Sequence, residues 1–159
     1  MIQLRPVEEA DNLFIVSVYR STREMELSYT NWPEIQKQAF ISMQLAAQHA
    51  AYKKVFPGAQ FQVIEFKKKE AGRFYTWENE LEIRLIDITL LPAFRGKGIG
   101  TKLLRMLVDK ANLENKKVSL HVEADNPALN LYRRMGFVFI KNNGRHLYME
   151  WQPASAKGK

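Results

Sequence analysis

Residues Glu82–Gly100 read EIRLIDITLLPAFRGKGIG, and this stretch decides the fold. Its first part, Glu82–Leu91, is dense in isoleucine and leucine and stops at Pro92, the pattern of a buried strand. The glycine-rich run Arg95-Gly96-Lys97-Gly98-Ile99-Gly100 follows. Behind it comes a helix with Leu103, Leu104, Leu107, Val108 and Ala111 on one face. Glycines at such a junction let the backbone approach a ligand and leave N–H groups pointing outward. The start of the helix adds unpaired amides and the positive end of its dipole. Strand, glycine-rich run and helix together predict a site for a phosphate or pyrophosphate, with Arg95 and Lys97 bringing cations to it. The run does not fit a P-loop, because no Gly-Lys-Ser/Thr follows at the required distance. It also lacks the third glycine of a dinucleotide fingerprint, since Gly98-Ile99-Gly100 continues as Thr101-Lys102-Leu103.

Downstream, Lys117–Val122 alternates strictly, with Val118, Leu120 and Val122 apolar, and predicts a strand. A short helix is expected from about Pro127 to Met135, preceded by Asn126 and stopped by Gly136. Phe137–Ile140 and His146–Trp151 pair across the turn signal Asn142-Asn143-Gly144. Upstream, Ile2–Arg5 predicts a short strand and Val7–Leu27 a helical stretch carrying Leu13, Phe14, Val18 and Tyr19. A second helix is expected from Asn31-Trp32-Pro33-Glu34, buried on Ile35, Phe40, Met43, Ala47 and Ala50 and ending before Pro57-Gly58. Gln60–Phe66 and Phe74–Trp77 read as strands joined through a turn at Ala71-Gly72. The order is βαα-ββ-βαβαββ, an α+β domain over residues 1–152, with a disordered tail expected over 153–159.

Composition narrows the function. The chain has 159 residues, 46% of them hydrophobic and 26% charged, which fits one globular domain. It has no cysteine, so a disulfide framework, a cysteine nucleophile and a thiolate metal site are excluded. Its three histidines, His49, His121 and His146, do not pair at metal-ligand spacing, and no metal is expected. No apolar run reaches the ~20 residues that span a bilayer, and the N-terminus lacks the features of a signal peptide. A cytoplasmic protein with no membrane association is expected. The net charge of +7 points to a polyanionic partner, a nucleic acid or a phosphate-rich cofactor.

The run Asn126…Leu131-Tyr132…Gly136-Phe137 lies one helix and one strand beyond Arg95-x-x-Gly98-x-Gly100. In order and spacing the pair resembles the GNAT family of acyl-CoA N-acyltransferases, over roughly Glu82 to Phe137. The resemblance implies a mixed, mostly antiparallel central sheet flanked by helices, and acetyl-CoA as co-substrate. It implies that the backbone of Ile88, Thr89 and Leu90 pairs with the pantetheine arm. Arg95, Gly96, Lys97, Gly98, Ile99, Gly100 and Thr101 would cradle the pyrophosphate through their N–H groups. Asn126 would hydrogen-bond near the pantetheine or steady the splay between strands, and Tyr132 would lie near the thioester sulfur and protonate the departing thiolate. A tyrosine of pKa ~10 can pass a proton to a thiolate whose acid has pKa ~8.5 at modest cost. By analogy, a homodimer forms through the C-terminal strands.

An N-acetyltransferase also needs a base for its amine. The family often places a glutamate on the strand entering the loop, where this chain has Arg84. Alternation sets Glu82, Arg84, Ile86, Ile88 and Leu90 on one face and Asp87 and Thr89 on the other. Glu82, Asp87, His121, Glu123 and an ordered water all stay open as the base. The acceptor, a small-molecule or peptide amine, should be selected by the first half, where Tyr29, Trp32, Phe56, Tyr75 and Trp77 either line a cleft or pack a core. Two other classes use the same residues. A member that binds acyl-CoA without transferring it fits the missing glutamate. A nucleic-acid-binding domain fits Lys102, Arg105, Lys110, Lys116 and Lys117, although no nucleic-acid-binding motif accompanies them and helical lysines are ordinarily a solvated face.

Overall fold

A computed structural model describes residues 1–157. Seven strands hydrogen-bond in the order β1-β2-β3-β4-β5-β7-β6. They are β1 Ile2–Pro6, β2 Gln60–Phe66, β3 Lys69–Glu78, β4 Glu82–Leu90, β5 Lys117–Glu123, β6 Val138–Asn143 and β7 His146–Trp151. The helices are α1 Asn12–Ser21, α2 Glu24–Ser28, α3 Glu34–Val55, α4 Ile99–Leu113, α5 Ala128–Arg134 and α6 Ala154–Lys157. This is the mixed, mostly antiparallel α+β architecture expected from the sequence. The chain divides into two compact units, residues 1–75 with 87–97, and residues 76–86 with 98–159.

In the first unit β1 lies antiparallel to β2, from Ile2 opposite Phe66 to Pro6 opposite Gln62. Arg5 ties the start of the chain together: it donates to Asp11 through both terminal nitrogens at 2.8 Å and to Glu65 at 3.0 Å. Asp11 also accepts the Glu8 N–H, and with the Arg5 hydrogen bonds this holds its carboxyl down at about 2. The β2–β3 turn sits at Lys67-Lys68, whose φ angles are 52° and 67°. Ala71 and Gly72, expected to turn, instead lie inside β3 and are buried. The two-residue loop carries positive φ without glycine or asparagine, which hid it from a search for turn residues.

The N-terminal helical stretch is broken between Ser21 and Glu24 and is not one helix. Its buried residues Tyr19 and Leu27 form a core with Ile41 of α3, and Val16, Trp32, Phe40 and Leu45 pack against it. Of the face predicted for α3, Phe40 packs against this core, and Ile35, Met43, Ala47 and Ala50 are exposed. Ile35 and Met43 are 79% and 64% exposed, and the buried anchor is Ile41. Beside Ile41 and Leu45, the inner side of α3 carries polar and aromatic groups. Gln44 Oε1 accepts from Tyr19 at 3.2 Å, His49 packs on Phe61 and Tyr52 on Tyr75.

In the second unit β4 pairs with β5 in parallel, Glu82 opposite Lys117 through Leu85 opposite Leu120. That register stops after four pairs, while β5 stays paired with β7 to Glu123 opposite His146. Ile99, Leu103, Leu104, Leu107 and Ala111 of α4 are buried at helical spacing, and Val118, Leu120 and Val122 of β5 are buried on alternate positions. β6 is an edge strand exposing Val138, Phe139 and Ile140, with a register shift between Phe139 and Lys141. Within the stretch expected as a disordered tail, Ala154–Lys157 forms a helical turn whose Ala154 N–H donates to Asn112 Oδ1 at 2.9 Å. Residues 158–159 lie outside the described residues. Among the described residues, no helix is long and apolar enough to cross a membrane.

Candidate functional site

The second unit holds Gly98–Thr101 of the glycine-rich run together with the Asn126–Phe137 motif. Gly98 caps α4 in the left-handed region, φ 80°, and its carbonyl accepts the Lys102 N–H at 3.1 Å. The amides of Ile99, Gly100 and Thr101 precede that first intrahelical bond, and no side chain of the cap residue covers them. Ile99 is buried and pins the helix start, while Gly98 is exposed. A Cβ on Gly100 would lie 3.9 Å from Leu131 Cδ2, so the first turn of α4 sits against α5, one residue before Tyr132.

Tyr132 is 5% exposed and packs against Phe137 with ring centroids 5.8 Å apart. Its carbonyl accepts the Phe137 N–H at 3.0 Å, past Gly136 at φ 99°. A Cβ on Gly136 would come within 3.3 Å of the Trp151 ring, so this turn is closed against β7. The helix end therefore fixes the tyrosine's backbone from below. Asn126 is exposed, and its Oδ1 accepts the Ala128 N–H at 2.9 Å, capping α5. That hydrogen bond accounts for an asparagine at this point by local structure alone.

The other residues of the expected cofactor set lie in the first unit: Ile88, Thr89 and Leu90 on β4, then Arg95, Gly96 and Lys97. Arg95 Nε donates back to the Leu90 carbonyl at 3.0 Å, which holds its guanidinium over the end of the strand. Gly96 takes φ 73°, and Arg95, Gly96 and Lys97 are exposed.

Three of the four side chains weighed as a base, Asp87, Glu82 and His121, already have a hydrogen-bond partner. Asp87 accepts from Arg73 Nε and from Thr89 Oγ1, the latter at 3.0 Å. Glu82 accepts from Ser119 Oγ at 2.6 Å, and Ser119 accepts from Arg84 Nε at 2.8 Å. Arg84 thus shares a sheet face with Glu82, as alternation predicted, while the neighbouring Ile83 and Leu85 are buried. His121 Nδ1 lies 3.0 Å from Arg84 Nη1 and its Nε2 lies 3.2 Å from Asn143 Nδ2. A guanidinium only donates, so Nδ1 accepts from Arg84. Burial and then the Arg84 charge push the His121 pKa below its ordinary value. Glu123 is exposed, 3.9 Å from His146.

Three of the five aromatic residues considered for an acceptor cleft have separate settings in the first unit. Tyr29 is 81% exposed, Trp32 packs edge-on to Phe40, and Tyr75 is buried against Phe61 and Tyr52. Sequence reasoning missed Arg73, a buried arginine whose guanidinium carbon lies 4.9 Å from the Tyr75 ring centroid and 5.7 Å from that of Tyr19. The signal for it was a charge at a core-facing position of a strand.

Residues 70–137 match the Acetyltransferase (GNAT) family. Over 72 residues the chain is 42% identical to streptothricin acetyltransferase of Streptomyces lavendulae, a match that covers 43% of this chain and 36% of that protein. The structure superposes on a PaiA N-acetyltransferase from Thermoplasma acidophilum in complex with coenzyme A, with TM-score 0.69 and 17% identity over 96% of this chain and 99% of that one. It superposes also on spermidine N-acetyltransferase from Vibrio cholerae in complex with CoA and spermine, with TM-score 0.63 and 22% identity over 96% of both chains. Residues 70–137 are therefore a GNAT acetyltransferase segment, carried on the fold of those N-acetyltransferases.

Proposed function

We propose that the protein moves an acetyl group from acetyl-CoA directly to a primary amine. The observation that carries this is the contact of α4's uncapped first turn with Leu131, next to Tyr132. The amides of Ile99, Gly100 and Thr101 suit an anionic oxygen, since they carry partial positive charge and need no side chain to rearrange. Arg95, Gly96, Lys97 and Gly98 complete the pyrophosphate cradle, and the Ile88–Leu90 backbone takes the pantetheine arm. Tyr132, buried and held by the closed turn at Gly136, donates its proton to the thiolate as the C–S bond breaks and the N–C bond forms.

The amine must arrive neutral. For a lysine-like amine of pKa ~10.4, deprotonation at pH 7 costs about 4.6 kcal/mol. Asp87 is tied to Arg73, Glu82 to Ser119 and His121 Nδ1 to Arg84, so Glu123 or an ordered water takes the proton in this reading. The acceptor is a small-molecule or peptide amine; streptothricin and spermidine, by their enzymes' names, are acceptors of the relatives. A cytoplasmic site of action and a homodimer through the C-terminal strands belong to the same proposal.

Calorimetry with acetyl-CoA, free CoA and NADH tests it. Micromolar binding of the first two without the third is expected, followed by thiol release when an amine panel is added. Binding of acetyl-CoA with no thiol release from any amine would leave an acyl-CoA-binding protein. No binding would refute the cofactor assignment.

A further inference from the structure

The β2–β3 hairpin gives up stability to carry cations at its tip. Its two-residue loop, Lys67-Lys68, takes φ 52° and 67°. Asn-Gly adopts positive φ at both such positions readily, whereas a lysine there crowds its Cβ against the backbone. Lys67, Lys68 and Lys69 all stand exposed, so no packing asks for these side chains. Strain kept at an exposed tip points to a use for the groups that cause it.

The tip adjoins the loop that leaves β4, and both belong to the first unit. The Leu91 N–H donates to the Ala71 carbonyl at 2.8 Å, which carries the β3–β4 pairing past the end of β4. Phe66, the residue before the tip, meets Phe94 edge-on with ring centroids 6.4 Å apart. Lys67 Nζ lies 5.3 Å from the Phe66 ring centroid. Arg95 and Lys97 follow Phe94 and are exposed. Lys67, Lys68, Lys69, Arg95 and Lys97 thus form one accessible group, and among the described residues none is ion-paired with a carboxylate. Other acids of the unit are engaged elsewhere: Asp11 and Glu65 by Arg5, Glu24 and Glu34 by Arg20, Glu26 by Arg23 and Asp87 by Arg73. Glu70, exposed near the start of β3, adjoins the group.

Size and charge select the ligand. Arg95 and Lys97 are given above to the pyrophosphate of acetyl-CoA, which leaves the lysines of the tip. The same cofactor carries a third phosphoryl group, the 3′-phosphate of its ribose, a monoester with about two negative charges at pH 7. It hangs one ribose away from the pyrophosphate, so a cradle at Arg95–Lys97 brings it to whatever flanks that loop. Lysine suits it, as a compact cation with three rotatable donors. A nucleic-acid face typically neutralises on the order of six to ten phosphates, more than this tip can meet. We infer that the Lys67-Lys68-Lys69 hairpin tip receives the 3′-phosphate of acetyl-CoA. The inference rests on the acetyltransferase reading and adds to it an element that selects the acyl donor.

Calorimetry at physiological salt compares acetyl-CoA with acetyl-3′-dephospho-CoA, in the parent protein and in Lys67→Asn combined with Lys68→Gly. That variant removes two cations and installs the favoured turn pair, so it should melt no lower than the parent. The parent is expected to bind acetyl-CoA about tenfold more tightly than the dephospho donor, or better, the scale of one charge-assisted contact. In the hairpin variant the two donors should bind alike. Lys53→Asn combined with Lys54→Asn removes the same charge from exposed positions on α3 and should keep the parent's preference. A parent that binds both donors alike overturns the inference, as does a preference that survives in the hairpin variant or is lost equally in the α3 variant. Single-stranded RNA bound by the parent and released by the hairpin variant, with no donor preference, overturns it in favour of a nucleic-acid contact. If neither donor binds, the acetyltransferase reading fails and this inference falls with it, whereas donors bound alike leave that reading standing.

Discussion

A Cβ on Gly72 would lie 2.0 Å from the carbonyl oxygen of Thr89 and 3.0 Å from Leu90 Cα. β3 and β4 meet there backbone to backbone, with no flexible side chain to move aside. Gly72→Ala must therefore displace β4 where Thr89 and Leu90 are expected to hold the pantetheine. A loss of about 1–3 kcal/mol is expected, typical of overpacking, with weaker acetyl-CoA binding in whatever fraction folds. Thermal melting and calorimetry check the two effects, and an unshifted melt would show that the strands separate at little cost.

Gly98 and Gly100 should separate conformation from ligand approach. Gly98 sits at φ 80° with open space around its Cβ position, so Gly98→Ala meets no clash but costs about 1 kcal/mol for the left-handed backbone. Gly100 has ordinary φ, and its Cβ would only touch Leu131 at van der Waals distance. Gly100→Val should melt close to the parent protein and bind acetyl-CoA at least tenfold more weakly, because the branched side chain occupies the approach to the amides. Full affinity in Gly100→Val would move the pyrophosphate elsewhere.

Tyr132→Phe removes one oxygen and leaves the ring against Phe137. Turnover should fall about 10²-fold or more, the usual scale of general-acid loss, with acetyl-CoA affinity within a factor of three. A variant with the parent kcat and the parent pH profile would make Tyr132 a packing residue.

His121 and His49 both have pKa values pushed below 6.5, chiefly by burial and then by neighbouring cations, Arg84 for the first and Lys53 for the second. The unfolded chain thus binds protons more readily than the native one just below pH 6.5. Stability should be full above that pH and decline as pH falls through the window down to the folded pKa values. Histidine Cε1 proton shifts followed against pH, with melts at pH 7 and pH 5, check the sign. Arg84→Ala should bring the His121 midpoint upward, and an unchanged midpoint would show that the Arg84 charge is not felt.

How much of this was legible follows from the forces at each place. α4 and β5 declared themselves because burial alone sorted their residues, with Leu103, Leu104 and Leu107 inside at helical spacing and Val118, Leu120 and Val122 inside on alternate positions. The glycine loop was legible because Gly96 and Gly98 do take positive φ. Helix α3 misled because its inner face mixes Ile41 and Leu45 with Gln44, Gln48, His49 and Tyr52, and hydrophobic periodicity scores such a face poorly. The same blindness concealed Arg73. Lys67-Lys68 concealed the hairpin turn, since lysine rarely adopts the left-handed region. The α4–α5 contact at Gly100 and Leu131 joins residues 31 positions apart and needed the fold to be seen.

The chain passes between its two compact units three times, at residues 75/76, 86/87 and 97/98. Two of those passages run through the middle of β3 and β4. No single cut therefore frees either unit, and neither corresponds to a contiguous fragment that carries its own strands. Melting one unit strips hydrogen bonds from strands that the other also owns. A protease should find no interior site that yields two stable halves, and heat should give one transition with no half-folded plateau.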